Sequence, residues 1–257
     1  MTPLQAIILG IVEGLTEFLP ISSTGHMILV SYIMGIGDED FVKTFEIAIQ
    51  LGAILSVVFI YYKRFIKGLD IYIKLIISFM PTGLVGLLAY KTIKAYLFNP
   101  FVVAIALIIG GIILIYIDKW TMSRTSRFKD MEDIPFKNAF FIGCIQCISM
   151  IPGVSRAGAT IIGGLMVGFD RKQATEFSFL LAVPTMLAAT GYDLYKNLGS
   201  FRDDHITLLM LGGVVSFVSA ILAIKALIYM VPRYGFKHFG IYRILLGVVF
   251  LILSPYL

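Results

Sequence analysis

Within an otherwise apolar segment, the stretch "EGLTEFLPISSTGH" sets two carboxylates, four hydroxyls and one imidazole between Glu13 and His26. Glu13 and Glu17 are four residues apart, so on a helix they share one face. Two carboxylates one turn apart repel unless a cation or a shared proton lies between them. One or two carboxylates completed by substrate phosphates is the usual setting for Mg²⁺. The expected cofactor is therefore a divalent cation, Mg²⁺ or Ca²⁺, held by Glu13 and Glu17. The structural alternative is a glutamate pair bonded to helix backbone or to Thr16. Pro20 ends the helix, and Ser22, Ser23, Thr24 and Gly25 form an N-cap sequence for the next. Free N–H groups at such a helix start bind anions, phosphate above all. Ser23 and His26 lie on the same turn and suit a nucleophile and its base. His26 as nucleophile, or as acid for a leaving phosphate, fits the same residues, as do a capping serine and a packed histidine.

A second polar interruption, "IPGVSRAGAT", carries Arg156 with no carboxylate nearby in sequence. A buried guanidinium needs an anion, and its planar fork matches phosphate oxygens. Ser155, Gly158 and Thr160 add a second cap-like donor cluster. Together with Ser22, Thr24, Gly25 and Arg156 they are the expected phosphate-binding residues. An ion pair of Arg156 with Glu13 or Glu17 is the competing reading, and the two can alternate with and without substrate. The set as a whole points to displacement at phosphorus, with Glu17, Ser23, His26 and Arg156 as catalytic residues. Stabilising charge on phosphoryl oxygens is the main task of such a site.

The elements that position these residues lie in lipid. The chain has 257 residues, 58% hydrophobic and only 14% charged, whereas soluble domains carry about a quarter charged residues. Its apolar runs are long and continuous, which fits helices rather than barrel strands. A site sunk in the bilayer implies a substrate with a charged head and a long apolar tail. The net charge of +5 does not point to nucleic acid, because the basic residues cluster in short connections where they set membrane orientation. No signal peptide is visible at the start of the chain, which lacks a basic leader before its first apolar run. Cys144 and Cys147 form a C-x-x-C without the soluble context of a redox motif, and read as small packing residues on one face of a buried helix.

Helical apolar runs are expected near 44–62, 75–90, 101–117, 174–192, 206–230 and 239–256, with two interrupted stretches at 3–34 and 138–167. Broken backbone at membrane depth survives only where protein or a hydrated cavity satisfies it. Both stretches therefore read as re-entrant hairpins. Connections 61–74, 118–137, 168–173 and 225–243 hold 4, 5, 2 and 4 of the 21 Lys and Arg, which places them in the cytoplasm. Residues 10–25 slide onto 143–158 without a gap: Gly10 meets Gly143, Glu13 meets Gln146, Ser22 meets Ser155 and Gly25 meets Gly158. The expected fold is an all-α polytopic membrane protein with six transmembrane helices and two re-entrant hairpins. Its halves, 1–120 and 136–257, form an inverted-topology repeat around a central site.

"GIVEGLTEFLPISSTGH" and "PGVSRAGAT" resemble the two signature stretches of the undecaprenyl-diphosphate phosphatase, or bacitracin-resistance, family. "FEIAIQLGAIL", "EFSFLLAVP", "DLYK" and "IYR" resemble further family segments. The resemblance runs nearly end to end. It implies hydrolysis of a polyprenyl diphosphate, undecaprenyl diphosphate, to the monophosphate and inorganic phosphate. That reaction recycles the lipid carrier for peptidoglycan and other wall polymers, at the outer face of the bacterial plasma membrane. By position, the family's acidic pair falls on Glu13 and Glu17, its serine and histidine on Ser23 and His26, and its arginine on Arg156. Where the family's second signature usually has serine after the arginine, this chain has Ala157, so no required role attaches to that position. The partners implied are the lipid substrate and membrane lipid, with a homodimer left as an open option. A polyprenyl-phosphate flippase or transporter shares the inverted repeat and midplane acids, but does not need the Ser/His pair with Arg156. The histidine-nucleophile lipid phosphatases share only the superficial "SSTGH" element. His205 and His238 read as bland loop or interface residues.

Overall fold

A computed structural model describes residues 1–96, 99–122, 124–197 and 203–253, and among these residues every regular element is helical. The helices are α1 (Pro3–Thr16), α2 (Ser23–Ile33), α3 (Asp40–Ala48), α4 (Gln50–Lys67), α5 (Asp70–Tyr96), α6 (Pro100–Thr121), α7 (Phe136–Gln146), α8 (Arg156–Val167), α9 (Arg171–Asn197), α10 (Asp203–Tyr234) and α11 (Lys237–Leu253). Local sequence sets their starts. Thr2 and Gln5 form a capping box ahead of α1, with Pro3 in the first turn, where its missing N–H costs nothing. Asn99 accepts from the Val102 N–H ahead of Pro100 and so caps α6.

Five stretches are long and apolar enough to cross a bilayer: Asp40–Ile66, Asp70–Ala89, Pro100–Thr121, Arg171–Lys196 and His205–Tyr234. They match five of the six expected spans, and the first joins α3 to α4. The sixth, 239–256, is the 17-residue α11, and its last expected residues lie outside the described ones. The protein is thus an all-helical polytopic membrane protein. Its burial pattern agrees. Leu55, Phe59, Leu84, Leu87, Ile112 and Leu222 are exposed, whereas Glu13, Glu17, His26, Gln146 and Arg243 are buried. Apolar side chains outside and polar ones within is the arrangement lipid requires.

Both interrupted stretches are helix–break–helix units, α1 to α2 and α7 to α8. A short 3₁₀ turn, Cys147–Met150, precedes the second break. At each break a serine takes a positive φ, 71° at Ser22 and 72° at Ser155. The neighbours of the two units are exchanged: α1 packs on α10, and α7 packs on α5. Gly10 makes the first contact close, since a Cβ there would lie 2.7 Å from the Gly212 carbonyl oxygen. Gly143 does the same for the second, 2.1 Å from the Ser78 oxygen. α6 packs along α11, and α8 packs against α9.

Three sequence expectations are corrected. Cys144 is exposed and Cys147 only half-buried, both as free thiols, so the pair does not share a buried helix face. Arg243, counted among the connecting cations, lies inside α11 and is 1% exposed. Its neighbour in that count, Lys225, is an exposed residue within α10. The basic connections themselves are anchored by acids. Arg64 binds Glu132 at 2.7 Å, and Arg171 binds Asp118 at 2.7 Å. Asp118 also accepts from the Lys237 N–H, which fixes the start of α11.

Candidate functional site: two hairpin tips joined by an ion pair and carbonyls

Glu17 sits where α1 ends, its N–H still bonded to the Glu13 carbonyl. Helical spacing therefore holds between the two carboxylates, and both side chains are buried. Ser22 then reverses the chain, and α2 begins at Ser23. That reversal aims the Ser23 hydroxyl back at α1, where it donates to Oε2 of Glu17 at 2.5 Å. The other carboxylate oxygen, Oε1, accepts from Nη2 of Arg156 at 2.8 Å. Residues from the two interrupted stretches thus meet on one carboxylate.

Arg156 is the first residue of α8, held by three further contacts. Nη1 donates to the Ser178 carbonyl at 3.0 Å, Nη2 lies 3.2 Å from Sδ of Met186, and the guanidinium stands 5.6 Å over the Phe18 ring. Phe18 is itself held edge-on by Phe179 at 5.4 Å. A cation over an aromatic face is favoured electrostatically, more so when desolvated. Two buried polar atoms of this site have no protein partner: Nε of Arg156, a donor, and Oε1 of Glu13, an acceptor. Buried polar atoms are normally paired. An unpaired donor and an unpaired acceptor on oppositely charged side chains fit a bound anion and a bound cation.

Ser23 and His26 are not paired with each other. His26 makes two other bonds: Nδ1 to the Ser22 carbonyl at 2.8 Å, and Nε2 to the Tyr242 hydroxyl at 2.7 Å. The nearest base to the Ser23 hydroxyl is Glu17. The two cap-like clusters also differ. The Ser22 side chain makes no cap bond, so the first N–H groups of α2, at Ser23, Thr24 and Gly25, start an uncapped helix; Ser22, Ser23 and Gly25 are buried, and the Thr24 side chain is exposed. In the second cluster the Ser155 hydroxyl already accepts from the Gly158 N–H at 3.1 Å. Thr160 donates to the Arg156 carbonyl at 2.9 Å and shares a 2.6 Å bond with Ser178. In this structure these polar groups of the second cluster brace the start of α8 and its contact with α9. Gln146, the counterpart of Glu13, is fully buried and bonded to Thr82 and Thr185. His205 stacks on Phe41 and His238 is exposed, both away from the site.

Sequence reading missed Arg243. Its guanidinium donates to five backbone carbonyls. Nη1 binds Pro20 at 3.2 Å and Val154 at 2.8 Å, Nη2 binds Ala106 at 3.2 Å and Gly153 at 3.0 Å, and Nε binds Leu107 at 3.4 Å. One buried cation therefore fastens both hairpin breaks to each other and to α6. Desolvating a cation costs several kcal/mol, which carbonyls at this number and distance offset. The signal available in sequence was the "IYR" segment, whose arginine precedes the apolar run ILLGVVFLIL with no acid near it.

Among the described residues, no group of three or more His, Cys, Asp or Glu side chains is arranged to hold a metal unaided. Glu13 and Glu17 fit a cation that takes its other ligands from phosphate and water, which is how Mg²⁺ is commonly bound.

Residues 6–249 match the family described as "Bacitracin resistance protein BacA". A protein of Persephonella marina named undecaprenyl-diphosphatase is 55% identical over 249 residues, covering 97% of this chain and 98% of that one. Proteins of the same name from Wolinella succinogenes and Aquifex aeolicus are 52% and 51% identical, over 96% and 97% of this chain and 96% and 98% of theirs. With a match over nearly its whole length, and with relatives this similar, the chain belongs to the BacA bacitracin-resistance family.

Proposed function

We infer that this protein hydrolyses undecaprenyl diphosphate to undecaprenyl phosphate and inorganic phosphate, recycling the lipid carrier of cell-wall synthesis. The observation that carries the reading is the Ser23–Glu17–Arg156 chain of contacts, assembled from two hairpins in a membrane protein. It joins a hydroxyl, a base and a phosphate-binding cation at one buried point. A flippase would use the cation and the helix start, but has no need of a serine hydroxyl hydrogen-bonded to a carboxylate. Purified protein in detergent, where transport has no meaning, should release phosphate from a polyprenyl diphosphate. Absence of release under otherwise native conditions would remove the reading.

The roles follow from the contacts. Arg156, already oriented by Ser178 and Phe18, receives phosphoryl oxygens on its free Nε edge, and the uncapped start of α2 adds backbone N–H donors. Ser23 attacks the terminal phosphorus. Its proton passes to Oε2 of Glu17, and the bond from that phosphorus to the bridging oxygen breaks, releasing the lipid monophosphate. Water then cleaves the phosphoserine: Glu17 returns the first proton to the departing Ser23 oxygen, takes one from the attacking water, and releases it to solvent as inorganic phosphate leaves, which restores the carboxylate. Glu13 and Glu17 would hold a divalent cation, Mg²⁺ or Ca²⁺, which supplies charge neutralisation at the diphosphate oxygens. Rapid-quench labelling with terminal ³²P tests the serine role. A Ser23-linked phosphate is the expected result, and direct incorporation of water without one would assign the attack to water.

The inverted repeat is part of the same reading. It is supported by the paired positive-φ serines, by the exchanged packing of α1 on α10 and α7 on α5, and by the matching close contacts at Gly10 and Gly143. With basic connections in the cytoplasm, the first hairpin enters from the outer face of the bacterial plasma membrane, and the site opens there. Cysteine-accessibility labelling at Glu39 and Lys129 tests the orientation, with Glu39 expected outside and Lys129 inside.

A further inference from the structure

Both ring nitrogens of His26 are engaged. Nδ1 lies 2.8 Å from the Ser22 carbonyl oxygen and Nε2 lies 2.7 Å from the Tyr242 hydroxyl. A carbonyl oxygen only accepts, so Nδ1 carries the hydrogen. In the neutral ring Nε2 then holds the lone pair, and the Tyr242 O–H donates to it. The two ring planes are also nearly parallel, 7° apart with centroids at 5.6 Å. Tyr242 comes from α11, next to Arg243, whose guanidinium holds the Pro20 carbonyl just ahead of Ser22. One dipeptide of α11 therefore fixes both the backbone that precedes His26 and the far edge of its ring.

We propose that Tyr242 is the positioning residue of His26, donating to Nε2 and so fixing the orientation of an imidazole whose Nδ1–H the Ser22 carbonyl holds. This rests on the proposed phosphatase function and on the expectation from sequence that His26 is among its catalytic residues. A histidine that works on a reacting group is ordinarily fixed by a partner on its other nitrogen, a carbonyl or carboxylate. Here the Ser22 carbonyl has that place, and the phenol guards the working nitrogen. A phenol can both donate and accept. When Nε2 takes a proton, the new N–H donates to the Tyr242 oxygen and the phenolic hydrogen turns outward, so the contact survives both states of the ring. Tyr242 loses no proton in this scheme and is not a catalytic residue.

Imidazole ¹⁵N spectra test the assignment, because the chain has only three histidines, His26, His205 and His238. The His26→Ala protein identifies the His26 signals, and unmoved His205 and His238 signals report an intact fold. The parent should show His26 as a single neutral Nδ1–H tautomer. Tyr242→Phe keeps the ring and removes the hydroxyl; the Ser22 carbonyl keeps the hydrogen on Nδ1, while Nε2 loses its donor, so the Nε2 signal should move to the position of a free imine nitrogen and kcat should fall about 2- to 10-fold with KM nearly unchanged. Tyr242→Leu should move the Nε2 signal in the same way. An unchanged Nε2 signal and kcat in Tyr242→Phe would overturn the proposal. Parent-like turnover by His26→Ala would instead overturn the place of His26 in the site; the spectra judge the Tyr242 contact without turnover.

Discussion

Ser22 and Ser155 adopt the same unusual backbone, φ 71° and φ 72°, at the breaks of the two hairpins, and among the described residues they are the non-glycine positions with positive φ. Such conformations cost about 1–3 kcal/mol each and persist only where the surroundings determine them. The surroundings here are the carbonyls of Pro20, Gly153 and Val154, which stand immediately upstream of the two serines and are held by Arg243. The strain and the clamp belong to one device. It turns α2 so that Ser23 reaches Glu17, and turns α8 so that Arg156 reaches the same carboxylate.

Glu17→Gln should keep an oxygen for Ser23 and remove both the base and the charge facing Arg156. General-base assistance is worth about 10²–10⁴-fold, so turnover should fall by at least about 100-fold while the protein still elutes as a folded species in detergent. Phosphate release and size-exclusion profiles read the two outcomes.

Arg156→Lys should preserve the positive charge but not the guanidinium fork that spans Glu17, Ser178 and the free Nε edge. Arg and Lys are not equivalent at forked sites. Loss of one preorganised donor group costs about 10²–10³-fold in kcat. Steady-state kinetics should therefore show Lys nearer to Ala than to the parent.

Glu13→Gln keeps an amide oxygen but removes the carboxylate charge from a side chain whose Oε1 has no hydrogen-bond partner. The expected result is weaker binding of added Mg²⁺ or Ca²⁺, read as a higher half-saturating concentration in a titration after chelation. Parent protein stripped with EDTA should lose turnover and regain it on adding the cation.

Arg243→Met should fill the space of the aliphatic stem but leave the Pro20, Gly153 and Val154 carbonyls without their donor, while those of Ala106 and Leu107 lie within α6. Orphaned buried acceptors cost about 1–3 kcal/mol each. Thermal melting in detergent should show the largest loss of stability among these variants, with turnover lost even well below the melting temperature because both tips are released.

Gly143→Ala would bring a Cβ to 2.1 Å from the Ser78 carbonyl oxygen. Overpacking of this kind costs about 1–3 kcal/mol, and the variant should melt earlier while the Glu17–Arg156 contact and the cation dependence stay as in the parent.

The hairpin breaks were legible because Pro20 and Pro152, followed by Ser and Gly, interrupt apolar helical runs in a way few other structures would tolerate. Glu13, Glu17 and Arg156 were legible because charge in an apolar run needs a reason. The partner of Ser23 was not. Spacing alone put His26 on the same turn, whereas the positive φ of Ser22 points the hydroxyl back toward α1, and no local pattern announces a positive φ at serine. Arg243 and Tyr242 were hidden differently. An arginine near the start of an apolar helix looks like an interface cation, and only the packing of α11 along α6 carries it inward to the breaks.

Every partner of the Arg243 guanidinium is a main-chain oxygen. Substitutions at Pro20, Ala106, Leu107, Gly153 or Val154 change side chains but leave that oxygen in the chain, so drift at the tips cannot by itself erase the bonds. The vulnerability is therefore concentrated in a single codon. A lineage that loses Arg243 has no compensating charge swap open to it, and a small molecule that wedges between this side chain and the tips would meet few escape routes.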